Sequence, residues 1–417
     1  MVAVCAMCAL AVPATASAAG KGTVVSIKEV TVGSPGNPSV GIIPFKDAIY
    51  KSCAEAPQAQ PPCQLVGGVG YGYGIGQLEI TVGQWVKFLN AVDPTGANRR
   101  GLYDPGESAS GWPKYGQIDF SAQAPKGSHY SVSYPEWADK PYGFANFLRA
   151  ARFVNSLDNG KLLSRKASAA GPFKYVTYKV QLSKQTERGM YDLAREKRTG
   201  ATRALHQGFV VPSQDEWIKA AYYDPNGGGT DSYWKYPTNP GVFGDGSATA
   251  PSSTTLDATT GNVTTAATQP LADYRPGSGT VPSWCPATIS TEACASVNPF
   301  GIDPLTYSTL YQGSLETVGQ AKTTSPWGTL DQGGNAVEWT DTITPPPTGR
   351  SGGRVWRRLH GGIANAPAYQ LWLSAVGLQP QDNAFYTTTY PWLGFRVGVV
   401  GFLKPVKPVT GTKGKRP

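Results

Sequence analysis

Residues 333–341 read GGNAVEWTD, a short segment in which a glycine pair precedes a tryptophan. Gly333 and Gly334 permit a backbone conformation that a side chain would obstruct. The indole of Trp339 buries a large apolar surface and so ties the segment to a core. Both roles are structural, so the segment predicts an ordered, buried part of a packed domain.

Two further strings of this kind follow downstream. In RLHGG, the glycine pair Gly361 and Gly362 allows close backbone packing. In GFRV, Arg396 lies within a predicted final strand, Leu393–Val400, between two apolar neighbours. Side chains alternate along a strand, so that of Arg396 points away from both and is expected to pair with a carboxylate.

Upstream, the sequence predicts three helices with apolar residues at helical spacing. The first begins at a capping box formed by Thr81 and Gln84, in which the side chains and backbone N–H groups of the two residues bond reciprocally. The second is predicted over about 144–157. The third begins at another capping box, Ser213 with Glu216. A β-branched alternation near the start of the chain predicts a strand.

Six strings in this order resemble the sulfatase-modifying-factor family, which is named for the formylglycine-generating enzyme. They are EITVGQWVKFLNAV (79–92), AARFVNSLDNG (150–160), VPSQDEWIKAAYY (211–223), GGNAVEWTD (333–341), RLHGG (358–362) and GFRV (394–397). The resemblance implies an α+β chain with the C-type lectin-like fold of the formylglycine-generating enzyme. Such a chain is loop-rich, with few short helices and small antiparallel sheets.

The namesake enzyme oxidises a substrate cysteine with two copper-binding cysteines that follow the last glycine pair. This chain has GGIANAPAYQLWL there, and the two positions fall near Ala366 and Leu371. Apolar side chains form no thiolate and bind no soft metal. Ile363 and Val337 replace a serine and an active-site tryptophan of the namesake. The comparison therefore predicts no catalytic residues of this kind and no bound copper.

A second branch of the family, the ergothioneine-type sulfoxide synthases, holds non-haem iron with a histidine-rich motif. The histidines of this chain are His129, His206 and His360, which are far apart and form no His-x-x-x-His pair. His360 adjoins the glycine pair at a place where the family commonly has arginine. The three residues could still converge in space, and this alternative is left open.

The resemblance also implies a structural calcium site around GGNAVEWTD. Its ligands would be the side chain of Asp331, the carbonyls of Gly334 and Ala336, and the carboxylate of Glu338. Calcium prefers oxygen ligands, and carboxylates with backbone carbonyls of one tight loop supply them. In the alternative interpretation, the two acidic side chains only cap the backbone or form local salt bridges.

The segment after the last glycine pair combines aromatic residues with Asn, Gln and Thr, a composition that suits protein or sugar contacts. It predicts a ligand-binding surface, although some of the aromatic residues could equally belong to the core. The predicted surface residues are His360, Tyr369, Trp372, Phe385, Tyr386, Tyr390 and Trp392.

Residues 1–19 resemble a bacterial-type signal peptide, with an apolar run and a small-residue cleavage site. Four of the six cysteines lie outside it, as the local pairs Cys53 with Cys63 and Cys285 with Cys294. In an oxidising compartment these pairs are expected to form loop disulfides. We therefore expect a secreted or periplasmic protein.

The remaining chain is predicted to form one sulfatase-modifying-factor-like domain over 22–403, followed by a basic flexible tail at 404–417. Insertions are expected at about 41–66, 161–208 and 245–300. The net charge of +9 is concentrated in the second of these insertions and in the tail. Basic residues in surface loops, rather than on one folded face, argue against nucleic-acid binding. No apolar run after the signal is long enough for a membrane span.

Two functions agree with these patterns. The first is a non-catalytic binding or structural module at the cell surface or in the periplasm, with an unknown protein or glycan as its partner. The alternative is a metal-dependent oxidoreductase, of non-haem iron or copper type, with an unrecognised site. A fold does not decide between them.

Overall fold

The computed structural model describes residues 23–46, 48–59, 62–108, 117–193, 200, 202–204, 207–227, 232–238, 250–255, 262–265, 270–272, 315–346, 353–364, 368–382 and 392–401. The expected signal peptide, the second cysteine pair, most of the 245–300 insertion and the basic tail lie outside these residues.

The three predicted helices are present as α1 (Val82–Val92), α2 (Phe147–Asp158) and α3 (Gln214–Tyr222). Both predicted capping boxes are formed at the starts of α1 and α3. The apolar stripe of each of these two helices faces the core, so that Trp85 and Trp217 are fully buried. Local capping chemistry and apolar spacing therefore placed these two helices correctly.

The second helix begins at Phe147 rather than at about Phe144. Asn146 is its cap, because the Asn146 side chain accepts a hydrogen bond from the backbone N–H of Arg149. Phe144 instead forms a bridge with Leu393. The residues before the cap are extended because they pair with a neighbouring segment.

The strands are β1 (Val24–Val32), β2 (Val40–Ile42), β3 (Ile49–Tyr50), β4 (Gln64–Val66), β5 (Tyr73–Gly76), β6 (Ile118–Phe120), β7 (Tyr130–Val132), β8 (Lys161–Ala170), β9 (Phe173–Gln181), β10 (Gly208–Val210), β11 (Ser252–Ser253), β12 (Leu271–Ala272), β13 (Val337–Thr344), β14 (Trp356–His360), β15 (Gly377–Pro380), β16 (Leu393–Gly394) and β17 (Gly398–Val400). The fold is thus mixed α+β, with three α-helices and mostly antiparallel small sheets among the described residues.

The largest sheet has six strands in the order β10-β17-β5-β1-β9-β8. The strand predicted near the start of the chain is β1, which pairs antiparallel with β5 on one side and β9 on the other. A second sheet has the order β15-β14-β13-β16. The segment GGNAVEWTD leads into β13, and RLHGG contains the end of β14.

The prediction of one continuous final strand over Leu393–Val400 was wrong. The chain forms β16 and β17, which belong to different sheets: β16 pairs with β13, whereas β17 lies between β10 and β5. Arg396 stands between the two strands and reaches Glu338 with its side chain. The chain passes from one sheet to the other at this place, and the side chain of Arg396 is buried between them.

Two of the expected insertions contain regular structure. Within 41–66, most of a three-stranded sheet of order β3-β2-β4 is present. A disulfide joins Cys53 to Cys63 in the same segment, so the first predicted cysteine pair is confirmed. Within 161–208, the basic stretch begins as the hairpin β8–β9 rather than as a surface loop. Most of the β8 side chains are nevertheless exposed, as expected for solvated basic residues.

The main core lies around Trp85, whose ring stacks on that of Tyr142 with centroids 4.3 Å apart. Phe153 of α2 and Phe395 also contact Trp85, so the first two helices and the segment between β16 and β17 share one core. Within the described part of the chain, no helix has the length and apolar character needed to cross a membrane.

Candidate functional site

Three of the six strings meet at the carboxylate of Glu338. The guanidinium of Arg396 donates from Nε to Oε2 at 2.6 Å and from Nη2 to Oε1 at 2.5 Å. The indole Nε1 of Trp217 donates to Oε2 at 2.9 Å. All three side chains are fully buried. Glu338 is therefore the carboxylate partner that was expected for Arg396.

The glycine pair of the string RLHGG packs on the same cluster. Gly361 has a positive φ of 105°, and its carbonyl accepts a hydrogen bond from the backbone N–H of Gly334 at 2.7 Å. A Cβ on Gly361 would lie 3.3 Å from the carbonyl oxygen of Gln332 and 3.4 Å from the Trp217 ring. The two glycine-pair strings therefore fit together by direct backbone contact, which a side chain at Gly361 would crowd.

His360 lies beside this contact and is nearly fully buried. Its ring stacks on that of Trp217 with centroids 5.2 Å apart. Burial, together with the nearby charge of Arg358, lowers the pKa of His360 to about 3, although a backbone hydrogen bond with Ala375 acts in the opposite direction. The imidazole is therefore neutral near neutral pH, and its Nε2 atom has no hydrogen-bond partner.

A small cavity of about 20 Å³ adjoins His360 and Gly362. Its other lining residues are Phe45, Val337, Leu359, Gln370, Ala375 and Gly377. A space of this size holds about one water molecule. It is far too small for a peptide substrate.

The positions aligned with the catalytic cysteines of the namesake enzyme are only partly described. Leu371 is fully buried, and Ile363 and Val337 are also in the core. Ala366 lies outside the described residues. Where the structure describes this region, it is packed with apolar side chains.

The structure shows no metal site formed by the histidines that it describes. His129 is hydrogen-bonded through Nδ1 to the carbonyl of Ser121 at 2.9 Å, close to the ring of Phe120. His206 lies outside the described residues. Among the described residues, no three His, Cys, Asp or Glu side chains come together in a way that could hold a metal ion.

Two of the four predicted calcium ligands, Asp331 and Glu338, belong to a buried acidic cluster that we define as Glu79, Glu316, Asp331 and Glu338. Glu79 accepts hydrogen bonds from the backbone N–H of Ala336 and from the amide of Asn335, both at 3.2 Å. Asp331 accepts one from the backbone N–H of Gly319, and its Oδ1 atom has no hydrogen-bond partner.

The acidic cluster contains four carboxyl groups, and Arg396 is the positive charge that acts on it most directly. Burial and the charges of Asp331 and Glu338 raise the pKa of Glu79 well above its ordinary range, against the effect of Arg396. Burial also raises the pKa of Asp331, although a hydrogen bond with the Glu316 side chain opposes this. Without another cation, the cluster therefore keeps protons that exposed carboxyl groups would lose.

The predicted calcium ligands supply the negative charge that the ion needs, but the carboxylate oxygens of Glu338 are not free to bind it. Both carboxylate oxygens of Glu338 are already held by Arg396, and Trp217 adds a third bond. Glu79 and Glu316 were not predicted as members of the cluster. Glu79 stands two residues before Thr81 in the sequence, so an acidic residue beside a capping box was the signal available for it. We find no comparable signal for Glu316.

The predicted ligand-binding surface is not exposed at the four positions that the structure describes. The side chains of His360, Tyr369, Trp372 and Trp392 are all buried. Tyr369 and Trp372 pack on each other with ring centroids 6.2 Å apart, and Trp372 donates a hydrogen bond to Tyr236. These residues are part of the core, because large aromatic rings fill its irregular spaces. Phe385, Tyr386 and Tyr390 lie outside the described residues.

No protein-family model matches the chain, and no curated protein matches it. Among solved structures, it is similar to Treponema denticola variable protein 1, with a TM-score of 0.40 and 14% identity over 89% of this chain and 95% of that chain. It is also similar to CarF, with a TM-score of 0.41 and 14% identity over 91% of this chain and 99% of that one. For PvdO from Pseudomonas aeruginosa, the TM-score is 0.38 and the identity 12%, over 90% and 94%. Similarity at this level does not by itself assign a family or a function.

Proposed function

We propose that this chain is a non-catalytic binding or structural module of the sulfatase-modifying-factor type, with the C-type lectin-like architecture of the formylglycine-generating enzyme. The proposal starts from the six strings in the sequence. It is supported by the way four of them pack together, since Trp217, Glu338, His360, Gly361 and Arg396 form one buried cluster. Residues that identify a fold are expected to hold it together in this manner.

The observation that carries the non-catalytic part is the packing behind Gly362. The space there is about 20 Å³, and the neighbouring Leu371 is fully buried where the namesake enzyme has a copper ligand. The copper site of the namesake enzyme uses two thiolate ligands, which alanine and leucine do not provide. Among the described residues, this place therefore offers formylglycine chemistry neither a thiolate ligand nor space for a peptide.

The alternative, a metal-dependent oxidoreductase, has one observation in its favour. The Nε2 atom of His360 is buried, neutral and without a hydrogen-bond partner, as a metal-binding imidazole would be before it binds. A single histidine is too few ligands for iron or copper. We therefore keep this function as the second candidate.

Export to the cell surface or the periplasm belongs to the same proposal. It is supported by the apolar first residues of the sequence and by the disulfide between Cys53 and Cys63. Disulfides persist in oxidising compartments and are rare in reducing ones. A structural calcium ion near Asp331 is also proposed, because buried carboxyl groups lie together there and the Oδ1 atom of Asp331 has no hydrogen-bond partner.

The experiment is metal analysis of the purified full chain, combined with an oxygen-dependent assay on a cysteine peptide in the presence of added copper. We expect no stoichiometric copper or iron and no formylglycine product. The matched control is His360→Phe, which removes an imidazole whose Nε2 atom has no hydrogen-bond partner and should give the same result. Stoichiometric iron or copper that is lost in this variant would reverse the proposal and support the oxidoreductase.

A further inference from the structure

Four lysines lie on one face of the strands β1, β9 and β8, and we define this surface as the lysine face: Lys28, Lys161, Lys166 and Lys179. Lys28 and Lys166 are both paired with Thr177 of β9, and directly paired residues point to the same side of a sheet. Lys179 and Gln181 follow Thr177 at steps of two residues, so they share this side. Lys161 is paired with Gln181 and completes the group.

The lysine face points to solvent. Side chains alternate along a strand, so the neighbouring residues Val25, Ile27 and Val180 lie on the opposite side of the sheet, where they are buried in the main core. All four lysines are exposed. The lysine face is therefore an outer surface of the sheet, separate from the buried cluster around Glu338.

The positive charges of the lysine face are close together and are not neutralised by acidic groups of the described residues. Lys179 is a diagonal neighbour of the other three lysines, at the about 7–8 Å that is usual for such positions. No described Asp or Glu forms an ion pair with any of the four. The ammonium of Lys28 lies 4.4 Å from the centroid of the Tyr175 ring, which holds it over the sheet.

Protection of the sheet edge explains only half of these lysines. Lysines on an edge strand prevent unwanted pairing with other chains, and this role fits Lys161 and Lys166, because β8 is the edge strand. Lys28 and Lys179 stand on β1 and β9, which have a neighbouring strand on each side. Like charges at this spacing repel one another, so their presence on inner strands indicates a surface that attracts an anionic partner.

Hydrogen-bonding side chains separate the lysines. Ser26 and Ser164 are both paired with Lys179, on the two sides of β9. Thr177 lies between Lys28 and Lys166 in the next row. Each of these rows therefore presents hydroxyl groups beside ammonium groups, a combination that can bind an anionic group and a neighbouring hydroxyl group of the same ligand.

We propose that the lysine face binds an acidic polysaccharide. The ammonium groups of the four lysines pair with its carboxylate or sulfate groups, and the hydroxyls of Ser26, Ser164 and Thr177 bond to its sugar hydroxyls. This inference rests on the proposed function, which gives the module a protein or a glycan as its partner, and it assigns the partner to one chemical class.

The residues of the lysine face favour a polysaccharide over other anionic partners. Bases of single-stranded nucleic acids stack on exposed aromatic rings, whereas Tyr175 is buried beneath Lys28. Protein partners are usually anchored by apolar side chains at the centre of an interface, and membranes bind an apolar group in addition to charge. The exposed apolar residues that the structure describes here are Val24, at one end of the face, and Leu163, at a bulge of β8. Neither is at its centre.

The experiment is isothermal titration of the full chain with a size-defined heparin oligosaccharide, which carries both carboxylate and sulfate groups. A dextran oligosaccharide of the same length is the uncharged control. We expect heparin to bind at least tenfold more tightly than dextran, and its affinity to fall as sodium chloride is added, because salt screens exposed charges. If heparin does not bind, or if dextran binds equally well, the proposal is wrong.

Paired variants locate the binding on the lysine face. The double variant Lys28→Gln, Lys179→Gln should weaken heparin binding about tenfold, since two charge contacts are lost. The matched control is Lys46→Gln, Lys174→Gln, which removes the same charge: Lys174 is exposed on the opposite side of β9, and Lys46 is exposed outside this sheet. The control should bind as the wild type does. Equal weakening in the two double variants would show that only net charge matters and would overturn the assignment.

Two variants with charge retained separate a binding role from a structural one. Lys28→Arg, Lys179→Arg should bind heparin within about threefold of the wild type, because both positive charges remain. Thr177→Val keeps the shape of the side chain and removes a hydroxyl, so it should weaken heparin binding about threefold, the usual effect of one hydrogen bond. Wild-type affinity in Thr177→Val contradicts the contact with sugar hydroxyls.

Other anionic ligands test the choice of a polysaccharide. Poly-L-glutamate, single-stranded oligodeoxythymidylate and vesicles of phosphatidylglycerol with phosphatidylcholine should each bind at least tenfold more weakly than heparin at the same salt concentration. Equal or tighter binding of any of the three would overturn the proposal in favour of that partner class. These titrations are independent of metal content and cysteine oxidation, so their failure is distinct from failure of the non-catalytic assignment.

Discussion

Arg396 and Glu338 form an ion pair in which neither side chain is exposed to solvent. Arg396 also donates to the carbonyl of Gly76 at 2.9 Å and to that of Leu330 at 3.1 Å. One guanidinium thus joins β5, β13 and the chain between β16 and β17. Removing either partner of such a pair leaves a buried charge without compensation.

We expect Arg396→Met to lower the free energy of unfolding by about 3–5 kcal/mol, the usual loss when one partner of a buried pair is removed. Urea denaturation of the wild type and the variant measures this loss. Arg354→Met is the matched control, because Arg354 pairs with Asp382 on the surface, and exposed pairs contribute at most about 1 kcal/mol. Equal losses in the two variants would show that the buried pair has no special structural role.

The neutral state of His360 should make the protein sensitive to acid. Its pKa is about 3 in the folded protein, compared with an ordinary value of 6.5. As the pH falls from about 6.5 towards 3, the unfolded chain binds a proton there that the folded chain does not, so stability decreases by up to about 1.4 kcal/mol per pH unit. The contribution is fully present above about pH 6.5.

His360→Phe is the variant that checks this sign. It keeps an aromatic ring on Trp217 and removes the titrating group, and the small cavity beside it gives space for the larger ring. The variant should lose less stability than the wild type between pH 6.5 and pH 3, as measured by urea denaturation at several pH values. Parallel pH profiles would mean that His360 takes up its proton equally in both states.

The disulfide should stabilise the small sheet of β2, β3 and β4. Cys53 and Cys63 are ten residues apart, and closing a loop of that length contributes about 2–3 kcal/mol by chain entropy. We expect the double variant Cys53→Ser, Cys63→Ser to unfold at a correspondingly lower urea concentration. Any further effect of a reducing agent on this variant reports on the other predicted pair, Cys285 with Cys294.

Calcium should raise the melting temperature if the acidic cluster binds it. At a concentration 100 times the dissociation constant, the stabilisation is about 2.7 kcal/mol. Asp331→Asn should abolish the response, because Asp331 has an oxygen without a partner, whereas Asp382→Asn at an exposed position should retain it. Identical melting curves of the wild type in calcium and in EDTA would exclude calcium from the cluster under those conditions.

The helix starts were predicted from the sequence because capping is a local interaction. The hydroxyls of Thr81 and Ser213 bond to N–H groups only three residues away, and no distant part of the chain is needed to form them. The carboxylate partner of Arg396 was expected from the alternation of side chains along a predicted strand, although Arg396 lies between two strands in the structure. Its identity as Glu338 depended on the fold and was not predicted.

The failures have the opposite cause. Whether Tyr369 and Trp372 face solvent depends on Tyr236 and Phe45, which are distant in sequence and pack against them. Glu316 joins Asp331 and Glu79 only after the chain has folded, so spacing could not reveal it. The change of sheet between Leu393 and Val400 was also hidden, because both short strands carry the apolar residues expected of a single strand.

The position of β17 has a consequence for synthesis. This strand, Gly398–Val400, lies inside the main sheet between β5 and β10, yet it is translated after all of its neighbours. A nascent chain that ends at Arg396 therefore has β5 and β10 with unpaired edges, and such edges invite pairing with other chains. The six-stranded sheet is complete only when β17 has joined it, through contacts that span more than 300 residues of sequence and that slow folding.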